Sequence, residues 1–271
     1  MPNRYKILFI GDIVGKSGRK IVKELLPTIR NQYSPDIVIA NGENSANGRG
    51  LTPKIAKELY NTGVNILTSG NHIWNKSEIF EDLNNSDKIL RPNNYPEDAP
   101  GKGVTKYDVY GKGRIGIINT QGRIFLQSID CPFRKTEKDL KELEDCDAIF
   151  IDMHGEATSE KKAYFYYFKG KVSAIIGTHT HVQTTDGVIL DGTAYLSDVG
   201  MTGAFDSIIG VEYNTVIDRF LYGTPTRFTV AKNDLRMDFV VLDIKDSKCI
   251  SLRILEYDLN GNKIVDMKRG I

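Results

Sequence analysis

The sequence predicts an α/β fold in which a parallel sheet carries helices on its faces. Short apolar runs alternate with amphipathic helical patterns through the first two thirds of the chain. Their order begins strand, helix, strand, helix, strand, which is typical of parallel sheets. Clusters of polar residues follow several of these strands. Because the carboxyl ends of parallel strands share one edge of a sheet, ligands collect there.

Apolar runs bounded by glycine and polar residues predict the strands. The runs lie at 6–10, 36–40, 64–68, 104–110, 114–119, 147–153 and 172–177. The fourth and fifth runs flank a Gly-Lys-Gly turn and are predicted to form a hairpin. A second hairpin is predicted to turn at Asp191-Gly192, and segments 237–244 and 249–257 are predicted to pair antiparallel.

Helical periodicity predicts four helices between these strands. We expect a kink or an interruption near Pro27, because proline lacks an amide hydrogen. The second helix is well bounded, with Thr52 as N-cap, Pro53 at the first helical position and Gly63 after its end. The four predicted helices cover 17–33, 52–63, 136–146 and 158–168.

No shift in composition marks a domain boundary, so we expect a single domain over residues 1–271. The segment around 202–236 is rich in glycine, threonine and aromatic residues and shows no clear hydrophobic period. We expect this segment to form a lid or cap over a site.

Composition excludes several functional classes. The chain has 36 basic and 35 acidic residues, for a net charge of +1, which argues against general nucleic-acid binding but leaves a nucleotide or a short RNA as a substrate. Its 3 cysteines contain no Cys-x-x-Cys pair, so neither a disulfide framework nor a thiolate zinc site is indicated. No apolar run approaches the ~20 residues that span a membrane. We expect a cytoplasmic protein without membrane contact, and composition leaves a homo-oligomer open.

Polar side chains that suit metal binding follow five of the predicted strands. Glycine comes one or two residues before four of these clusters, where it lets the chain turn sharply near an ion. The 4 histidines of the chain all fall in these clusters. The candidate ligands are Asp12, Glu43, Asn44, Asn71, His154, His179 and His181, and His72 lies beside them.

Oxygen and nitrogen donors without sulfur suit Mn²⁺, Fe²⁺, Co²⁺ or Zn²⁺ better than Mg²⁺ or Ca²⁺. Seven candidates exceed one tetrahedral site, so we expect two divalent ions that share a carboxylate. Iron or manganese is the leading expectation, with zinc, cobalt and magnesium as alternatives. Two ions about 3.5–4 Å apart form a clamp for in-line displacement at phosphorus.

Each residue also has an ordinary structural interpretation. Asp12 could cap the helix that starts near Ser17, and a single histidine is more often a surface or core residue than a ligand. Lys161 could touch a substrate, although the segment that contains it is more simply a helix start. Arg49 could meet a phosphate, but an arginine on a glycine-rich loop is more often solvated. The aromatic run 164–168 is expected to be core or interface rather than a base-stacking surface.

In order along the chain, the motifs Gly-Asp, Asn-Gly-Glu-Asn, Gly-Asn-His, His-Gly-Glu and Gly-Thr-His-Thr-His resemble those of the metallophosphoesterase (calcineurin-like phosphoesterase) superfamily. The stretches 11–18, 41–50, 69–75, 152–161 and 177–184 are most similar to its YmdB-like branch, which is known for 2′,3′-cyclic nucleotide phosphodiesterase activity. The resemblance implies a two-sheet sandwich flanked by helices in α/β/β/α layers, with metals at the strand ends.

The resemblance also implies a role for each residue. Glu43 would bridge the ions, and His72 would act as the general acid or as a hydrogen-bond donor to the phosphate. Val14 stands where the wider superfamily has a histidine, and Asn44 is its expected substitute. One ion would be held by Asp12, Glu43, Asn44 and His181, and the other by Glu43, Asn71, His154 and His179.

The expected function is hydrolysis of a small phosphodiester, with 2′,3′-cyclic nucleotides as the leading substrates and a hydroxide between the ions as the attacking group. One alternative is a phosphomonoesterase or phosphoprotein phosphatase. Another is a regulatory RNA- or protein-binding module in which the metals only brace the loops. Structural zinc sites are usually closed and rich in cysteine, which argues against that last interpretation.

Overall fold

The computed structural model describes residues 4–270, so the first three residues and the last one of the expected domain 1–271 lie outside it. The helices are α1 (Gly15–Tyr33), α2 (Pro53–Asn61), α3 (Phe80–Asn85), α4 (Pro132–Leu140), α5 (Thr158–Phe168) and α6 (Tyr213–Tyr222). The strands are β1 (Arg4–Ile10), β2 (Asp12–Ile13), β3 (Ile37–Asn41), β4 (Ile66–Thr68), β5 (Val104–Val109), β6 (Gly113–Gln121), β7 (Ala148–His154), β8 (Ala174–Thr178), β9 (Val188–Leu190), β10 (Thr193–Leu196), β11 (Met201–Ala204), β12 (Leu235–Lys245), β13 (Lys248–Asp258) and β14 (Lys263–Gly270).

The strands form two sheets. The first has eight strands in the order β14-β13-β12-β1-β3-β4, and β11 and β2 extend from β12. The second has six strands in the order β5-β6-β7-β8-β10-β9. The pairs β1–β3, β3–β4, β6–β7 and β7–β8 are parallel. The strands that precede the predicted ligands therefore run parallel within each sheet.

Alternating side chains of β1 show how the layers pack. Ile7 and Phe9 point into a core that both sheets share, and the Phe9 ring lies 4.9 Å from the ring of Phe150 on β7. Leu8 and Ile10 point the other way, into a core with α1 and α2. A third core lies under α5 on the outer face of the second sheet. The period-two alternation of a strand thus produces the expected α/β/β/α layers.

Most predicted elements are present, with shifted ends. Helix α1 starts two residues earlier than predicted and stays helical through Pro27. The third predicted helix, 136–146, begins earlier, at Pro132, and ends as a 3₁₀ turn at Lys141–Leu143. The hairpin at Asp191-Gly192 is confirmed, and both turn residues have positive φ. Of the aromatic run, Tyr164, Phe165 and Phe168 are buried, whereas Tyr166 and Tyr167 are exposed.

The segment around 202–236 is not irregular throughout. It contains most of β11, all of α6 and the start of β12. Residues of this segment, including Ile209, Arg219 and Phe228, line the cavity described below. Among the helices of residues 4–270, none is both long and apolar enough to cross a membrane.

Candidate metal centre and active site

The two sheets place all of the predicted ligands at the same end of the molecule. Asp12 follows β1, Glu43 and Asn44 follow β3, and Asn71 follows β4 of the first sheet. His154 is the last residue of β7, while His179 and His181 follow β8 of the second sheet. Each sheet therefore contributes part of the site.

One group of side chains surrounds His154. The Nε2 atom of this ring lies 3.2 Å from Glu43 Oε1, 3.2 Å from Asn71 Oδ1 and 3.1 Å from His179 Nδ1. The ligand atoms of Glu43, His154 and His179 all lie within 4.8 Å of one another. A carboxylate, an amide and two imidazoles thus converge on one position.

A second group surrounds Asn44. Its Nδ2 atom lies 3.1 Å from His181 Nε2 and 3.4 Å from Asp12 Oδ1. The same atom lies 3.4 Å from Glu43 Oε1, so Glu43 touches both groups. The structure therefore brings together all seven predicted ligands, in two groups that meet at Glu43. Asp12 does not cap α1, whose N-cap is Val14 without a side-chain hydrogen bond.

Hydrogen bonds behind His154 fix which ring nitrogen faces this cluster. The Thr178 hydroxyl donates to Asp152 Oδ1 at 2.6 Å, so it must accept from His154 Nδ1, which lies 2.9 Å away. Nδ1 therefore carries a hydrogen, and Nε2 turns toward Glu43. Such an outer partner orients a histidine for metal binding.

His181 and His179 are oriented in a similar way. His181 Nδ1 donates to the Ile209 carbonyl at 3.0 Å, which leaves Nε2 toward Asn44. His179 Nε2 lies 3.1 Å from Glu156 Oε2, which leaves Nδ1 toward His154. The backbone has positive φ at both histidines, 102° at His179 and 64° at His181. Non-glycine residues rarely adopt this region, and such strain clusters at functional sites.

The charges of the buried groups fit a bound cation. Burial raises the pKa of Asp12 to about 6, against the opposing effect of the nearby histidines. Burial would also raise the pKa of Glu43, but contacts with His154 and His72 lower it to about 2. For His154, burial opposes protonation, yet Glu43 and the other carboxylates outweigh it and raise the pKa to about 9. A proton on His154 balances these carboxylates, and a divalent cation would replace that proton.

His72 lies between the cluster and solvent. Its backbone amide donates to Glu43 Oε2 at 2.9 Å, and its Nδ1 lies 3.1 Å from Asn75 Oδ1. Asn75 Oδ1 therefore accepts a hydrogen bond from His72 Nδ1, and His72 Nε2 lies on the side of the ring away from Asn75. Burial lowers the pKa of His72, so its imidazole is neutral before a substrate binds.

Two glycines are required because neighbouring atoms lie too close to leave room for a Cβ. A Cβ on Gly70 would lie 2.1 Å from His154 Nε2, and a Cβ on Gly177 would lie 1.8 Å from the Ser197 carbonyl oxygen. The first glycine lets the loop after β4 pass over the His154 ring. The second allows β8 to lie against the loop after β10. At both positions glycine is required by close packing against other protein atoms, whereas the sequence predicted a sharp turn near an ion, and Gly177 lies within β8.

Several residues that hold the site together were not predicted from the sequence. Asp152 Oδ2 accepts from Thr68 Oγ1 at 2.5 Å and from Asn41 Nδ2 at 3.2 Å, which joins the two sheets beneath the ligands. Lys161 is buried, and its Nζ donates to the Thr178 carbonyl at 2.8 Å and lies 3.0 Å from Asp198 Oδ2. It therefore braces the loop of His179 and His181 and has no access to a substrate.

A cavity of about 630 Å³ opens above the ligands. Five residues of the site line it, namely Glu43, Asn44, His72, His179 and His181. Its lining also includes four basic residues and an aromatic ring, which are Arg49, Lys76, Arg219, Arg227 and Phe228. This volume lies in the range of small-molecule sites.

The two-sheet sandwich, with carboxylate, amide and imidazole groups converging at its strand ends, defines a metallophosphoesterase-like fold. The chain matches the model of the YmdB-like protein family over residues 8–255, and it belongs to that family. It is a phosphoesterase of this fold.

Relatives with known names support this assignment. The chain is 47% identical over 259 residues to the 2′,3′-cyclic-nucleotide 2′-phosphodiesterase of Bacillus subtilis (strain 168), and the match covers 95% of this chain and 98% of the relative. It is 38% identical over 275 residues to a putative phosphatase/phosphodiesterase of Mycoplasma pneumoniae, with 95% and 96% covered.

Solved structures give the same result. A hypothetical protein from Thermus thermophilus is 40% identical and superposes with a TM-score of 0.89, over 93% of this chain and 99% of that one. A novel phosphatase from Mycoplasma pneumoniae is 33% identical with a TM-score of 0.84, over 100% of this chain and 94% of that one.

Proposed function

We propose that the protein is a phosphodiesterase that hydrolyses 2′,3′-cyclic nucleotides with two divalent ions. The observation that carries this proposal is the convergence of seven ligands from five strand ends on two adjoining groups that share Glu43. The Bacillus subtilis relative has this substrate class in its name. The donors include two carboxylates, two amides and three imidazoles, a set that suits iron or manganese.

The ligands divide between the ions according to their contacts. Asn71 and His179 would hold one ion together with His154 and Glu43, because their side chains lie beside His154 Nε2. Asp12, Asn44 and His181 would hold the other with Glu43, because they surround Asn44 Nδ2. Bound ions supply Lewis-acid charge beside the phosphate and activate water for attack near neutral pH.

His72 is the proposed catalytic residue. Asn75 fixes its Nδ1, so Nε2 is the atom that faces the cavity. An anionic phosphodiester beside this ring would raise its pKa, since an opposite charge favours the protonated form. The imidazolium would then donate from Nε2 to a phosphoryl oxygen or to the departing alkoxide.

The segment around 202–236 is the proposed lid of a single domain. Its residues 209, 211, 219 and 226–230 line the cavity, and the Ile209 carbonyl accepts a hydrogen bond from His181. A wall at this position would limit water around the substrate while leaving an entrance for it.

Metal analysis of the purified protein, paired with assays after reconstitution with Mn²⁺ or Fe²⁺, tests the proposal. We expect about two ions per chain and hydrolysis of 2′,3′-cyclic nucleotides that chelation abolishes. Faster turnover of phosphate monoesters than of these diesters would favour the phosphatase alternative. Full metal occupancy without turnover of either ester class would favour the binding module in which metals only brace the loops.

A further inference from the structure

The lining of the cavity includes a set of basic side chains that we term the cationic rim, namely Arg49, Lys76, Arg219 and Arg227. Among residues 4–270, no carboxylate lies within ion-pair distance of any of them, whereas Arg19, Arg114, Arg236 and Arg253 each pair with a carboxylate elsewhere. The acidic residues that line the same cavity are Glu43, in the ligand cluster, and Glu156, beside His179. The rim therefore keeps its positive charge.

Phe228 holds two of these guanidinium groups. The Arg49 group lies 5.7 Å from the centre of its ring, and the Arg219 group lies 5.1 Å from it. A cation–π contact attracts a guanidinium group without neutralising its charge. Two like charges beside one ring repel each other, and an anion between or near them would relieve that repulsion.

The four positive charges of the rim exceed the charge of one reacting phosphodiester. A nucleoside 2′,3′-cyclic phosphate carries a single negative charge, on the phosphodiester that the ions would bind. Each additional internucleotide phosphate adds one more negative charge, and Arg binds phosphates well because its planar fork matches their oxygens. Rim residues and ligand residues line the same cavity, so a single chain of nucleotides could contact both.

We propose that the preferred substrate is a short RNA strand that ends in a 2′,3′-cyclic phosphate, with its preceding phosphates bound by the cationic rim. This inference rests on the proposed phosphodiesterase function and specifies its substrate. The near-neutral net charge of +1 is consistent with recognition of a strand end rather than with general binding along RNA.

The test compares kcat/KM for adenosine 2′,3′-cyclic phosphate with that for a short oligoadenylate bearing the same terminus. The metal-loaded protein should prefer the oligoadenylate, and Arg219→Gln and Arg227→Gln should each reduce that preference about fivefold, the loss of one partly screened contact to a charged group. Raising the salt concentration should lower kcat/KM for the oligoadenylate more steeply than for the mononucleotide. The slope of log kcat/KM against log salt concentration should differ by about −0.7 for each phosphate contacted. The exposed Arg134 on α4 does not line the cavity, so Arg134→Gln is the matched control and should leave the preference intact.

Binding provides a second measurement. Fluorescence anisotropy with a labelled oligoadenylate that ends in a 3′-phosphate should show weaker binding to both rim variants and unchanged binding to Arg134→Gln. Equal kcat/KM for the two substrates, or a preference that the rim variants retain, would overturn the rim assignment while leaving the proposed function intact. Failure to hydrolyse either substrate with metal bound would overturn the proposed function itself.

Discussion

The ligand end of the site and the cationic rim are built in different ways. The ligand end consists of Asp12, Glu43, Asn44, Asn71, His154, His179 and His181, which hydrogen-bond to one another and to buried groups behind them. The rim consists of Arg49, Lys76, Arg219 and Arg227, which are without carboxylate partners in the described chain. The first end is organised before anything binds, whereas the second supplies charge and can adapt. This difference predicts that variants at the ligand end abolish the reaction and that rim variants alter substrate choice.

Removing a ligand should have the largest effect. His179→Ala deletes an imidazole that faces both His154 and Glu156. We expect bound metal to fall and activity to drop by a factor on the order of 10³ or more, because transition-state stabilisation depends on that charge. Metal analysis and steady-state kinetics on the same sample check this. Full metal content in this variant would remove His179 from the ligand set.

Removing His72 should lower turnover without emptying the site. His72→Ala is expected to reduce kcat by a factor on the order of 10²–10⁴, the usual range for an acid–base group. The hydrogen bond of its side chain is to Asn75, and its bond to Glu43 comes from the backbone amide, which alanine retains, so metal content should stay near that of the parent protein. If the metal were lost as well, His72 would belong to the ligand end rather than to catalysis.

Breaking the buried ion pair between Lys161 and Asp198, behind the His179 loop, should lower stability more than breaking an exposed pair. Lys161→Met leaves Asp198 buried without its partner, and we expect the free energy of unfolding to fall by about 3–5 kcal/mol. Lys162→Met is the matched control, since Lys162 is exposed and its pair with Asp186 should contribute about 0–1 kcal/mol. Urea denaturation of both variants measures the difference. Equal losses would show that Asp198 finds another partner.

A smaller change tests the orientation of His154. Thr178→Val keeps the shape of the side chain but removes the hydroxyl that accepts from His154 and donates to Asp152. Metal affinity should fall about 10–100-fold, the usual cost of losing such an outer partner. Thr178→Ser retains the hydroxyl and should restore affinity. Metal titration of the parent protein and the two variants measures this affinity. Equal metal affinity of Thr178→Val and the parent protein would contradict the proposed role of the hydroxyl.

A buried acid outside the site should make stability depend on pH. Burial raises the pKa of Asp238 well above its ordinary value, and the charge of Glu256 acts in the same direction. A raised carboxyl pKa favours the folded state at low pH, and this contribution is lost as pH rises through the folded-state pKa. Asp238→Asn should therefore gain stability relative to the parent protein as pH increases. Thermal melting across pH 5–8 measures the trend, and a constant gap would contradict it.

The sequence predicted the ligand end well because its signals are local. Apolar runs end in glycine and polar residues, and the right-handed crossover rules of parallel sheets bring those ends together. Asp12, Glu43 and His154 could thus be placed near one another without a structure. The resemblance already implied a division into two groups around Glu43, and the structure adds the contacts between side chains, such as Asn44 Nδ2 to Glu43 Oε1 at 3.4 Å.

The supporting residues could not be predicted from local patterns. Asp152 lies inside an apolar run that indicates a strand, and its partners Thr68 and Asn41 are 84 and 111 residues away. Lys161 is expected from the sequence to belong to a helix start or to touch a substrate, because nothing nearby indicates its distant partner Asp198. The rim also escaped prediction beyond Arg49, since Arg219 and Phe228 lie in a segment without clear periodicity.

The position of β1 sets when this enzyme can become active during its synthesis. Asp12 directly follows β1, and β1 lies between β3 and β12 in its sheet. The neighbour β12 ends at Lys245, so β1 lacks one of its two partners until residues through Lys245 have left the ribosome. A polypeptide truncated before β12 would carry all seven proposed ligands without the strand that pairs with β1 beside Asp12.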